Sequence, residues 1–182
     1  GVAPDATVDL ASPDPQGGGA YASAEAWAIA QGAEVIANGW AWVDGSGSTV
    51  NGFDMYLDYL SVQSPYPLFV SSAGNRNASN GTPCEVDDDY HYVQNHLYNG
   101  LVVGGYADQG TAVRTDDDFW DCSSYRNPAT TNGDWELPDF VAPADCLDAG
   151  GKTCVDGTSG AAAIAAGVAA LVLDASSALS GW

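Results

Sequence analysis

A chain of 182 residues, 46% of them hydrophobic, is long and apolar enough for one domain with a sizeable core, which excludes a disordered chain. With 24 acidic residues and four basic ones (Arg76, Arg114, Arg126 and Lys152) the formal charge is −20, which excludes a phosphate-binding nucleic-acid protein and opposes anionic membranes. Aspartate outnumbers glutamate and lysine occurs once, the bias of an acidic protein kept soluble in high salt or stabilised by cations.

From the N-terminus, residues 7–10 (TVDL) read as a short strand after the opening GVAPDA. Residues 20–31 have helical spacing, with Ala24, Trp27, Ala28 and Gln31 on neighbouring turns and Gly32 as the stop. Residues 34–38 (EVIAN) form the next predicted strand, followed by Gly39, Trp40 and Ala41. A Gly/Ser-rich loop over 44–51 leads into a predicted helix over 52–63, with Phe53, Tyr56, Leu57 and Leu60 facing a sheet. The apolar stretch 67–72 reads as a buried strand and runs into Ala73, Gly74 and Asn75. Taken alone, Gly-Asn after a strand is a turn.

Residues 77–100 are irregular and carry Asp87, Asp88 and Asp89 with His91 and His96, two histidines that read as loop residues. A strand over 101–105 follows, then a second acidic triplet, Asp116, Asp117 and Asp118. Either triplet offers the oxygen donors that calcium takes, so a structural calcium is chemically open. Neither lies in a D-x-[DN]-x-[DN]-G loop, however, so both read as solvated patches and no metal ligand is assigned.

Near the C-terminal end, Asp156-Gly157-Thr158-Ser159-Gly160 opens the run AAAIAAGVAALVL over 161–173. Rich in alanine and leucine and free of proline, the run predicts a helix buried on nearly every face. Ser159 would sit at its start, where unpaired backbone N–H groups and the positive end of the helix dipole favour a developing oxyanion. That suits a nucleophile. Thr158 or Ser159 as a plain N-cap fits the same residues.

Cys84, Cys122, Cys146 and Cys154 lack C-x-x-C spacing, which argues against zinc-ribbon and redox roles. An even count in an acidic, lysine-poor chain points to an oxidising compartment and two disulfides. Of the three connectivities, Cys146–Cys154 with Cys84–Cys122 is favoured, the first closing a short loop just before Ser159. Asn77 and Asn80 each begin a glycosylation sequon, meaningful in a host that glycosylates secreted proteins. With no signal peptide and no isolated apolar span, the expectation is a processed, extracellular chain.

The phrase GTSGAAAIAAGVAAL resembles the serine-bearing motif of the subtilisin-like serine proteases, with Ser159 at the place of the nucleophile. Where that family usually has a proline and a histidine after the serine, this chain has Ala163 and Ile164. Other phrases are similar to the family's in the same order. They are GVAPDA at the start, WAIAQGAEVI over 27–36, SAGN over 72–75, LVVGG over 101–105, and LPDFVAP over 137–143. The resemblance spans nearly the whole chain.

It implies an α/β, three-layer fold with a mostly parallel sheet flanked by helices, as one partial catalytic domain over 1–182. It implies a serine endopeptidase in which Ser159 attacks the peptide carbonyl and Asn75 helps to hold the oxyanion. Gly39, Trp40 and Ala41, with Ala73 and Gly74, would bind the substrate backbone, and Trp40 would wall a subsite or simply fill the core. Arg76 would border the pocket for the residue before the scissile bond or stay solvated. The chemistry would need no cofactor. The family's first strands and histidine-bearing helix precede GVAPxA, so the triad histidine and aspartate are expected from an upstream segment or a companion chain. A second copy pairing an exposed sheet edge is the other partner expected. From a different class, a non-catalytic structural or assembly protein that keeps the fold, a pseudoprotease, fits the same residues. A lipase-like hydrolase does not, because G-x-S-x-G is absent around Ser159.

Overall fold

The computed structural model describes residues 2–11, 18–40, 49–75, 92–127 and 136–176. Four short strands, β1 (Val35–Asn38), β2 (Leu68–Ser72), β3 (Leu101–Ala107) and β5 (Phe140–Pro143), run parallel in one sheet. β4 (Asp118–Phe119) adds two residues antiparallel to the end of β3. In register, Ile36 faces Phe69, Val70 faces Leu101, and Val103 faces Phe140. These strands read as apolar runs because both faces of a parallel sheet are covered.

Successive strand residues point to opposite faces. Ile36, Phe69 and Val102 join one core cluster with Leu57, against which Ala28 and Ile29 of α1 (Gly18–Ala30) and Phe53, Tyr56 and Leu60 of α2 (Gly52–Ser61) pack. Val70, Val103 and Ala142 join the other with Ala161, Ala162, Ala165 and Ala166 of α3 (Thr158–Ala175). The result is the expected three-layer α/β architecture, helix on sheet on helix.

Local chemistry sets the helix ends. Gly32, at φ +89°, turns the chain out of α1 as the stop predicted there. α2 starts in a capping box: Asn51 Oδ1 accepts from the N–H groups of Phe53 (2.8 Å) and Asp54 (3.0 Å), and Asp54 Oδ2 accepts from the Asn51 N–H.

Between β5 and α3 lies a hairpin, β6 (Leu147–Ala149) with β7 (Lys152–Val155), closed by the expected Cys146–Cys154 disulfide. Cys122 is also disulfide-bonded, and its expected partner Cys84 lies outside the described residues.

Two expectations are corrected. Residues 7–10 form no strand; Val8 and Leu10 are 73% and 87% exposed, because no described segment lies beside them to complete a ladder. α3 is not buried on nearly every face. Its alanines pack on β1, β2, β3 and β5, whereas Val168, Leu171 and Val172 on its outer side stay about half exposed. Among the described helices α3 alone is long and apolar enough to cross a membrane, yet one of its faces is committed to the sheet.

Candidate active site

Gly157 ends the approach to α3 at φ +139°, its N–H donating to Ala144 O at 2.8 Å. It is the N-cap of α3 and brings no side-chain cap bond, so neither Thr158 nor Ser159 is the cap. They are the first two helical residues instead, placed where backbone N–H groups lack partners inside the helix. Thr158 is fully buried and Ser159 is exposed.

Asn75 arrives from the other side of the sequence, three residues beyond β2. Ala73 N–H donates to Val103 O (2.8 Å), Gly74 takes φ +96°, and Asn75 bridges to Ser123. The Asn75 Oδ1 accepts from Thr158 N–H at 2.9 Å and from the Thr158 hydroxyl at 2.8 Å. Thr158 Oγ1 in turn accepts from Gly74 N–H at 3.2 Å. With its oxygen occupied, the Asn75 carboxamide can present only its Nδ2 donors elsewhere. Ser159 and Asn75 therefore converge from segments 84 positions apart in sequence.

The Ser159 hydroxyl donates to Gly39 O at 2.6 Å. Gly39 is glycine where the chain needs a close approach: a Cβ there would lie 3.2 Å from Ser159 Cβ. The following Trp40 is half-buried and its ring stacks on Tyr21 and Phe53, with centroids 4.2 and 5.2 Å away, so the ring packs toward the α1 and α2 layer. Asn95 Nδ2 donates both to Trp40 O (2.9 Å) and to Ser72 O (2.8 Å), tying the two segments that flank the serine and asparagine.

Among the described residues, no imidazole or carboxylate bonds to Ser159. His96 lies in a segment without regular structure, as the sequence indicated, and its ring is fully buried against Asp54, with Nδ1 2.9 Å from Oδ2 and its N–H donating to Oδ1 at 3.1 Å. So buried, it cannot reach a substrate. The one local signal for this pair was Asp54 three residues after a helix-capping Asn51; its partner 42 residues away left none. Glu25 of α1 was also missed. Burial pushes its carboxyl up from the ordinary 4.5 to about 7, partly offset by the neighbouring Asn38 carboxamide, although the Asn38 Nδ2 completes no hydrogen bond.

Ala41, Arg76, His91 and the triplet 87–89 lie outside the described residues. In the second triplet Asp116 and Asp118 are exposed and Asp117 is partly buried, with Asp116 accepting from the Thr111 hydroxyl and Asp118 from Phe119 N–H. Among the described residues no group of three or more metal-binding side chains gathers.

An exposed serine hydroxyl at a helix N-terminus, beside an asparagine whose oxygen is tied back, on a three-layer α/β sheet, defines a subtilisin-like domain. The family model described as the subtilase family of peptidases matches residues 1–181, and the chain belongs to that family. Among solved structures, the fold is similar to the prenylagaramide maturation protease PagA (23% identity, TM-score 0.56), covering 93% of this chain and 52% of that one. It is similar to the self-cleaved protease domain of PatA (26%, 0.54), covering 85% of this chain and 50% of that one. Sphericase is a third neighbour (21%, 0.56), with 87% and 50% covered. The chain thus spans about half the length of these structures. No curated protein matches it significantly.

Proposed function

We propose that this chain supplies the nucleophile and oxyanion site of a secreted serine endopeptidase. The observation that carries the reading is the clamp of Thr158 on Asn75 Oδ1, which turns the amide donors of Asn75 outward beside Ser159. In this reaction Ser159 Oγ bonds to the peptide carbonyl carbon while its proton passes to a base. The carbonyl oxygen becomes an oxyanion held by Asn75 Nδ2 and the Ser159 N–H. The tetrahedral adduct collapses, the amine leaves with the proton, and water later releases the acyl group by the same steps. In this reading Gly39 and Trp40 border the path of the polypeptide, and Ala41, outside the described residues, would extend it; Ala73 and Gly74 are buried and serve only to hold Asn75 in place.

The base and its orienting carboxylate come, in this reading, from a histidine–aspartate pair on a segment outside this sequence, joined to it or carried by a companion chain. On its arrival Ser159 exchanges Gly39 O for the imidazole. No cofactor takes part, and any calcium serves structure alone.

The Ser159–Gly39 hydrogen bond also fits a second reading, a pseudoprotease that has kept the fold for assembly. A fluorophosphonate probe applied to native material separates the two. Labelling of Ser159 that is lost in Ser159→Ala supports the protease. An intact fold without labelling supports the pseudoprotease.

A further inference from the structure

In the protease reading, an acyl group bonded to Ser159 Oγ with its oxygen at Asn75 Nδ2 would carry its own side chain alongside the residues that flank those atoms. These are Gly39 and Trp40 on one side and Gly74 on the other. The two flanks stand close together, since the single nitrogen Asn95 Nδ2 donates to both Trp40 O and Ser72 O.

The residue before Asn95 is Gln94. Its N–H donates to Ala73 O at 2.8 Å, which fixes its backbone against the end of β2. From there its side chain runs over Gly74: a Cβ on Gly74 would overlap Cγ, Cδ and Oε1 of Gln94. Val93, immediately before it, is fully buried and its N–H donates to Arg126 O at 2.9 Å, so the backbone under Gln94 cannot recede. Gln94 itself is half-buried. The space beside Gly74 is thus occupied by the chain's own glutamine.

Resting on the protease reading of Ser159 and Asn75, we propose that Gln94 sets the specificity of this site. By filling the space beside Gly74, it restricts the residue that donates the scissile carbonyl to small side chains, glycine, alanine or serine. Leucine and phenylalanine have no room unless the glutamine is displaced. A hydrophobic pocket usually discriminates a missing methylene only ~10–200-fold, whereas a filled pocket rejects larger groups by steric overlap.

The test uses native protein, together with any companion chain that co-purifies, and peptidyl diphenyl phosphonates identical except for an alanine-, leucine- or phenylalanine-type terminal residue. Adduct formation on Ser159 is followed by mass spectrometry in the natural protein, Gln94→Gly and Gln94→Ala. Circular dichroism checks each fold. The alanine-type probe should react about tenfold or more faster than the phenylalanine-type. Either variant should raise the phenylalanine-type rate by a similar factor while leaving the alanine-type rate within about twofold. A natural preference for the large probes, or an unchanged preference in both folded variants, overturns the role of Gln94 and leaves the protease reading standing. Failure of a plain fluorophosphonate to label Ser159 overturns the protease reading and this proposal with it.

Discussion

Thr158 holds Asn75 by its oxygen alone: backbone N–H and side-chain hydroxyl both donate to Asn75 Oδ1, at 2.9 and 2.8 Å. A carboxamide bound this way cannot rotate its oxygen toward an incoming oxyanion. The donor end is preset before a substrate arrives, which is the condition for electrostatic stabilisation without reorganisation.

Asn75→Ala should therefore slow phosphonylation of Ser159 by about 10²–10³-fold with the fold retained. Thr158→Val, which removes one of the two bonds to Oδ1 together with the acceptor of the Gly74 N–H, should slow it about tenfold or more. Thr158→Ser should restore most of that loss. Equal rates in the natural protein and Thr158→Val would remove the positioning role.

Gly74→Ala meets two obstacles at once, a φ of +96° and the Gln94 side chain. Each costs on the order of 1–3 kcal/mol, and the sum should appear as a lower urea midpoint with an unchanged slope. Adding Gln94→Gly should return only the steric part. Full recovery in the double variant would show that the backbone at Gly74 is not strained.

The Asp54–His96 pair should be a point of structural weakness when halved. Asp54 also receives the Asn51 N–H, so Asp54→Ala strips three hydrogen bonds from a site where both side chains are buried. A loss of about 3–5 kcal/mol in chemical denaturation is expected. Asp58, which accepts from Tyr98 and Asn99 N–H groups on the exposed side of the same helix, should cost about 1–2 kcal/mol as Asp58→Ala.

Glu25 sets a pH dependence whose sign follows from burial. The folded protein holds this proton up to about pH 7, whereas the unfolded chain releases it near 4.5. Between those values the native state binds more protons, so stability falls as pH rises from 4.5 to 7 and levels off above. The full effect is on the order of 3 kcal/mol. Thermal unfolding of Glu25→Gln, measured across this range, should lose that downward slope and exceed the natural protein at pH 8.

Much of this was legible in the residues. The meeting of Asn75 with the start of α3 came from two motif phrases in order, and Gly32 and the apolar patterning marked α1, α2, β1, β2 and β3 to within two residues. What stayed hidden depends on neighbours. The TVDL stretch alternates like a strand, but a strand exists only with a partner beside it, and none of the described segments supplies one. The α3 run is apolar all round, and composition does not say how many layers will cover it. Gln94 gave no signal, because its importance comes from lying over Gly74, twenty positions away.

The cross-links between Gly74, Asn75 and Thr158 also bear on how the fold opens. Gly74 N–H and Thr158 N–H are each protected by an atom of the other segment, so neither can exchange with solvent while the other stays in place. In hydrogen–deuterium exchange these two amides should share one opening free energy, and a substitution that loosens either should speed both alike.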